Sequence, residues 1–300
     1  MRLLTFVSDD GPRAGTFVSD GTIMAIQALV PDAPLDMLSV IERYDGLREG
    51  IRDAAGRARG GVDPSTAKLL APIPLPRRNV FCVGWNYSEH FAEGAKLRVA
   101  QGAPGQQEIP EFPALFSKNP ATVTGPDSNV LFPAPVSDQL DWEVELAVIV
   151  GRRGHDISER DAMTHVFGYT CANDVSVRDV QRRHGGQWFK GKNFDTHLPM
   201  GPWIVTADEL DPSALRVQTR VNGVMKQDSN TKFMVFKIPR LISEFSAGCQ
   251  LVAGDIMITG TPEGVGFARK PPEFLKIGDV VEVEIEGIGV LRNRVHPGRT

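Results

Sequence analysis

Three hundred residues with 41% hydrophobic and 23% charged content and a formal charge of -4 describe a chain long enough to bury a substantial core. That charge excludes an electrostatic basis for nucleic-acid binding, so any small anionic substrate must be attracted locally. The N-terminal run MRLLTFVSDDG is too short for a signal peptide, and no stretch approaches the about 20 apolar residues of a membrane span, which predicts a cytoplasmic protein without membrane contact. The first predicted element is a strand-turn-strand unit, in which TFVSD occurs twice around the turn residues Asp10, Gly11 and Pro12, followed by Asp20 and Gly21. A helical, charged segment follows, PLDMLSVIERYDGLREGIRDAAGRAR. The prolines of LLAPIPLPRRNVFCVGWNY then read as a linker. These shifts predict a small β-rich N-terminal domain over residues 1–72 and a larger catalytic unit over 73–300.

The larger unit is mainly β, of α+β class. Short runs such as NVFCVG, ELAVIVG, GPWIVT, RVQTRVNG and DVVEVEIEGIGVLRNRV alternate with turn signals, which predicts a sandwich or rolled sheet. Helical patterns are fewer, namely SERDAMTHVFG and MVFKIPRLISEFSAG. In the last strand run Val281, Val283 and Ile285 share one face while Glu282, Glu284 and Glu286 share the other, as a strand with one solvated side does. Cys82, Cys171 and Cys249 lack CxxC spacing and read as buried structural thiols of a reducing compartment.

The stretch DWEVELAVIV departs from this simple patterning. One face of such a strand is Trp142, Val144, Leu146, Val148 and Val150; the other is Asp141, Glu143, Glu145, Ala147 and Ile149. Apolar residues on both faces indicate a strand covered on both sides. Glu143 and Glu145 would then lie side by side about 7 Å apart, unfavourable unless protons or cations compensate them. An edge strand whose acids simply face water is the bland alternative. Asp174, at the end of the apolar run YTCAND, adds a third carboxylate, and three hard oxygen ligands suit Mg2+, Mn2+ or Ca2+ better than zinc.

Other candidates are weaker one at a time. In GWNYSEHFAEG, Ser88 could cap a short helix that places His90 and Glu93 on one face, as a general base and its orienting carboxylate or as an incidental charge pair. Lys190 and Lys192 in FKGKNFD are ambiguous; one could stabilise an oxyanion. ITGTPEGVGF lacks the GK[ST] ending of a P-loop and the context of a dinucleotide site, and reads instead as a tight turn bringing backbone amides and Thr261 near a substrate.

Together these segments resemble the fumarylacetoacetate hydrolase superfamily. The resemblance is carried, in order, by VGWNYSEHFAE, the pair Gly125 and Pro126, DWEVELAVIVG, NDVSVRDVQ, GKNFDTHLPMGPWIV, VNGVMKQDSNTKFMVFKIPRLI, GDIMITGTPEGVG and GDVVEVEIEGIG, covering residue 75 to the C-terminus. It implies a mixed β-sandwich or β-roll, a homodimer, and a divalent ion, Mg2+ or Mn2+ with Ca2+ as a substitute in crystals, held by Glu143, Glu145 and Asp174. It further implies His90 and Glu93 as the water-activating pair, Lys192 facing the substrate, and Gln181, Thr261 and, with a structural alternative, Arg178 lining the pocket. Trp85 stands where relatives vary, and the stretch from Gly94 to Pro120 reads as an insertion able to close over the site. The activity so implied is hydrolytic carbon-carbon cleavage of a 1,3-dicarbonyl such as an acylpyruvate or other diketo acid. Metal-dependent decarboxylation or isomerisation of a 2-oxo acid such as oxaloacetate is the nearest rival, and a noncatalytic small-acid binder a more distant one.

Overall fold

The strand Val144–Val150 is buried along its entire length, as its two apolar faces require. The computed structural model describes residues 1–100 and 109–298, with the backbone alone for 95–100. The main sheet runs in the order Ile23–Ala25, Gly11–Phe17, Arg2–Ser8, Leu198–Thr206, Val166–Asn173, Val144–Val150, Ile256–Ile258, Val80–Gly84 and Ala114–Lys118. A second sheet has the order Val224–Asn230, Arg216–Val221, Val280–Ile285, Gly289–His296 and Asn129–Leu131. Val144, Leu146, Val148 and Val150 share a core with Val217, Val283, Ile285 and Leu291 of the second sheet. Ala147 and Ile149 point the other way, into a core with Ile26, Ile41, Leu47 and Ile51. Glu143 and Glu145 therefore begin the face that ends against these N-terminal helical residues.

Local signals account for the flanking elements. Arg2–Ser8 and Gly11–Phe17 pair as the anticipated hairpin, and Arg2 also pairs with Val205, so the N-terminal strands continue the main sheet. The charged segment forms Met37–Glu42, where Asp36 accepts from the Ser39 amide at 2.9 Å, and Tyr44–Arg57. Ile238–Ser246 is helical, with proline in its first turn. Val280–Ile285 alternates between half-buried and buried residues, with Glu282 and Glu284 on the half-buried side and Glu286 exposed beyond its end.

Four readings need correction. SERDAMTHVFG contributes only a 3-10 turn, Ala162–His165, before the strand Val166–Asn173 takes over the apolar residues. Cys249 is exposed in the turn after the Ile238–Ser246 helix, while Cys82 and Cys171 are buried. Ser88 is the first helical residue of Ser88–Ala100 rather than its cap, and its hydroxyl donates to Glu89 at 2.7 Å. The insertion read from Gly94 to Pro120 ends in Ala114–Lys118, which pairs antiparallel with Val80–Gly84 as a strand of the main sheet. Residues 101–108 of that stretch lie outside the described residues. Among the described residues no helix is long and apolar enough to cross a membrane.

His197 shows what burial does to the pH response of this fold. It is fully buried, bonded through Nε2 to the Leu131 carbonyl at 2.8 Å, and burial pushes its pKa down to about 3. The unfolded chain takes up a proton near pH 6.5 that the folded chain refuses, so this contribution is complete above pH 6.5 and is lost as pH falls toward 3. Chemical denaturation across that window is expected to show a loss of up to about 5 kcal/mol that His197→Gln reduces.

Candidate metal centre and active site

Glu143, Glu145 and Asp174 present one carboxylate oxygen each within 4.8 Å of one another, and all three are buried. Local backbone bonds set this approach. The strand expected over 141–150 is interrupted at Trp142 and Glu143, where the Glu143 amide donates to the Asn173 side chain at 3.0 Å and the Asp174 amide donates to the Glu143 carbonyl at 2.9 Å. Gln227 locks the next residue by accepting from the Val144 amide at 3.1 Å. The two segments carrying the acids thus fold against each other at the ends of adjacent strands, Val144 opposite Asn173.

Cations surround the acids. Lys192 Nζ donates to Glu143 Oε2 at 2.7 Å and to Asp174 Oδ2 at 2.6 Å. Lys118, fully buried, donates to Asp174 Oδ1 at 2.6 Å and to the Val175 carbonyl at 3.2 Å. Arg178 pairs with Asp141 at 2.8 Å and with Glu143 Oε1 at 2.6 Å. Burial alone would raise the Glu143 pKa, but the Lys192 and Arg178 cations outweigh it and hold it below the ordinary carboxylate range. Glu145 goes the other way: burial, then the Asp174 and Glu143 charges, raise it well above that range. Burial lowers Lys118, whereas the Asp174 and Glu143 carboxylates more than offset burial at Lys192 and raise it. The donor set is oxygen only and closely spaced, and each carboxylate oxygen retains lone-pair capacity beyond one bond, so these residues fit a hard divalent ion.

The glycine-containing loop 259–267 donates its amides to three carboxylates, only one of them in the triad. The Gly260 amide donates to Glu145 Oε2 at 2.6 Å, the Gly264 amide to Glu93 Oε1 at 3.0 Å, and the Gly266 and Phe267 amides to Asp141 at 2.7 and 2.9 Å. Gly264, at φ +95, sits so close to the Lys226 carbonyl that a Cβ would lie 2.3 Å from it. The amides anticipated for a substrate are therefore spent on a candidate ligand, the imidazole's partner and the Arg178 clamp. Asp141, unassigned from the sequence, is the hub of that clamp.

His90 and Glu93 fall on one face of Ser88–Ala100, with Nδ1 3.4 Å from Glu93 Oε2. His90 lines the same cavity as Glu143, Glu145, Arg178, Gln181, Lys192 and Thr261, so the structure brings these predicted residues together. Gln181 accepts from Arg178 at 3.2 Å, and Thr261 accepts from Gln227 at 2.9 Å. Lys190 is exposed and lies over the Phe194 ring, outside the cavity. Sequence reasoning missed Lys118, Asn86 and Gln227, whose partners at the site, Asp174 for Lys118, Phe236 and Thr259 for Asn86, and Val144 and Thr261 for Gln227, are distant in the chain. Lys118→Met is expected to destabilise the metal-free protein, by less than the about 3–5 kcal/mol of a buried pair broken outright, because it strips Asp174 of one of its two cations and leaves Lys192. Thermal melts with and without Mn2+ should show a larger metal-induced gain in that variant than in the parent.

A carboxylate triad able to hold a hard divalent ion thus stands beside an imidazole able to exchange a proton. Residues 79–296 match the family model for the C-terminal domain of fumarylacetoacetate (FAA) hydrolase. The chain is 43% identical over 300 residues to oxaloacetate tautomerase FAHD2B, mitochondrial, of Bos taurus, covering 98% of this chain and 91% of that protein. It is 46% identical over 232 residues to oxaloacetate tautomerase YisK of Bacillus subtilis, covering 77% and 74% of the two chains. Maleylpyruvate hydrolase from Sphingobium sp. SYK-6, solved with manganese (II) ion and pyruvate, superposes with a TM-score of 0.78 at 32% identity, covering 100% of both chains. The protein belongs to the fumarylacetoacetate hydrolase family.

Proposed function

We propose that this protein is a divalent-metal-dependent isomerase that interconverts the keto and enol forms of a short 2-oxo acid of the oxaloacetate type. The observation that carries the reading is the buried triad of Glu143, Glu145 and Asp174, two of whose members, Glu143 and Glu145, line one cavity with His90, the imidazole that Glu93 orients. Relatives named oxaloacetate tautomerase, at 43% and 46% identity, favour isomerisation over the carbon-carbon hydrolysis that the sequence first suggested. A divalent ion held by the three carboxylates, Mg2+ or Mn2+, would polarise the chelating oxygens of such a substrate. Asp141, Glu143 and Asp174 pair with Lys118, Arg178 and Lys192, so a divalent ion would add positive charge that Glu145, once ionised, offsets only in part, and the cluster would attract an anion.

The chain's own groups then divide the work. Glu93 fixes the His90 ring through Nδ1, leaving Nε2 to carry the proton exchanged at C3 of the substrate. The Lys192 ammonium, held at the cavity wall by Glu143 and Asp174, steadies negative charge developing on the substrate oxygen. Gln181, Thr261 and Arg178 hold the substrate end, Arg178 chiefly by fixing Glu143. No bond between carbons breaks: a C3–H bond is lost as an O–H bond forms, or the reverse.

Hydrolysis stands as a second reading, because the His90 and Glu93 pair could equally activate water and the Sphingobium relative at 32% identity is named a hydrolase. The test is a Mg2+-dependent assay of oxaloacetate, fumarylpyruvate and other acylpyruvates with product identification. Keto-enol interconversion of oxaloacetate with all carbons retained is expected. Stoichiometric release of pyruvate and a second acid from an acylpyruvate, with no effect on oxaloacetate, would overturn the proposal.

A further inference from the structure

Part of the cavity wall is aromatic, formed by Trp85, Phe116 and Trp188. Trp85 has φ +57, a left-handed conformation that bulky residues rarely adopt and that persists only where surroundings over-determine it. Asn86 supplies that constraint. It is fully buried, donates to the Phe236 and Thr259 carbonyls at 3.0 and 2.8 Å, and accepts from the Phe236 amide at 2.7 Å. The Trp85 ring so placed meets Trp188 edge-on with centroids 4.8 Å apart, and Phe116 meets Trp188 from another side at 5.5 Å. Gly84 completes the seat: a Cβ there would lie 2.2 Å from the Trp188 ring.

Trp188 is tied to the charged end of the site as well. The Lys192 amide donates to the Trp188 carbonyl at 3.2 Å, closing the turn that delivers the lysine, and Lys192 Nζ lies 5.1 Å from the Phe116 ring centre. Ring and ammonium line one cavity of about 260 Å³, just below the roughly 300–1,000 Å³ of sites for drug-sized ligands. A substrate anchored at the carboxylates would share this cavity with a ring packed against Trp85, Phe116 and the Gly84 backbone.

We infer that Trp188 is a specificity-determining residue: it limits how far a 2-oxo acid can extend past its anchored end, so that short acids of the oxaloacetate class fit and acylpyruvates with longer chains do not. The inference rests on the reading that the site takes a 2-oxo acid, and deepens it.

The test uses unreactive 2-oxo acid mimics of growing length, oxamate, N-methyloxamate and N-propyloxamate, titrated calorimetrically into the Mn2+-loaded protein. In the parent, affinity should fall more than about tenfold from oxamate to N-propyloxamate, the scale on which a filled pocket rejects extra methylenes. In Trp188→Ala the fall should shrink to less than about threefold. Trp188→Phe, which keeps a smaller ring, should lie between, and serves if melting shows the alanine variant unfolded. Equal affinity of the parent for all three mimics, or the same decline in parent and variants, would overturn the inference. No oxamate binding by the parent would overturn it together with the 2-oxo acid reading. The expected pattern without keto-enol turnover of oxaloacetate would remove the isomerase reading and leave the length limit standing.

Discussion

Glu143→Ala is expected to abolish saturable Mn2+ binding and to lower kcat/KM by more than the about 10- to 100-fold typical of losing an outer-shell partner. Glu143, like Asp174, pairs with two buried cations. It stands between Arg178 at 2.6 Å and Lys192 at 2.7 Å, and its amide and carbonyl fix the segment carrying Asp174. Removing it takes away one oxygen ligand and leaves two buried cations facing the ion's place, so the local charge turns against a divalent cation as well. Glu143→Gln should show most of the same loss, because it keeps the shape and discards the charge. Calorimetric Mn2+ titration of both variants, with thermal melts to confirm folding, checks this; binding within about threefold of the parent would remove Glu143 from the ligand set.

His90→Ala should separate chemistry from metal binding. Its expected signature is Mn2+ affinity unchanged within about threefold and kcat reduced by about 10²- to 10⁴-fold, the usual contribution of a positioned acid-base group, with little change in KM. The imidazole is buried against Phe267, with ring centres 6.4 Å apart, and is steered by Glu93, which is itself held by the Gly264 amide. Glu93→Gln should therefore produce a milder loss of kcat, since it weakens the orientation of the ring and leaves the ring in place. Steady-state kinetics on oxaloacetate would decide the matter; full activity in His90→Ala would mean that another group moves the proton.

The triad was legible because a strand with apolar residues on both faces gives two acids nowhere to go, and Asp174 follows the next buried strand at the matching end. The His90 and Glu93 spacing was legible for a similar reason, since three residues along a helix is one face. Lys118 was not. Its strand pairs with Val80–Gly84 from beyond the Ser88–Ala100 helix, and nothing in PEFPALFSKNP announces that a lysine within it is fully buried. Asp141 was visible on the right face but uninterpretable, because its partners, Arg178 and the amides of Gly266 and Phe267, lie 37, 125 and 126 residues away. The glycines of ITGTPEGVGF announced a tight turn, while what the turn holds depended on three other segments reaching it. Local periodicity thus pointed to Glu143, Glu145 and the His90 and Glu93 pair, whereas Lys192, Gln181 and Arg178 were placed at the pocket only through the family resemblance. The groups that hold them in place are long-range hydrogen-bond partners, to which periodicity is blind.

The most direct measurement is the ketonisation of enol-oxaloacetate, diluted from an aprotic solvent into buffer and followed by the loss of enol absorbance. Expected is a large acceleration by the Mg2+-loaded protein over Mg2+ alone, lost on adding a chelator, restored by Mg2+ or Mn2+, and accompanied by no pyruvate. Ketonisation at the same rate with and without protein, or pyruvate appearing as fast as the enol disappears, would contradict a metal-dependent isomerase built on Glu143, Glu145 and Asp174.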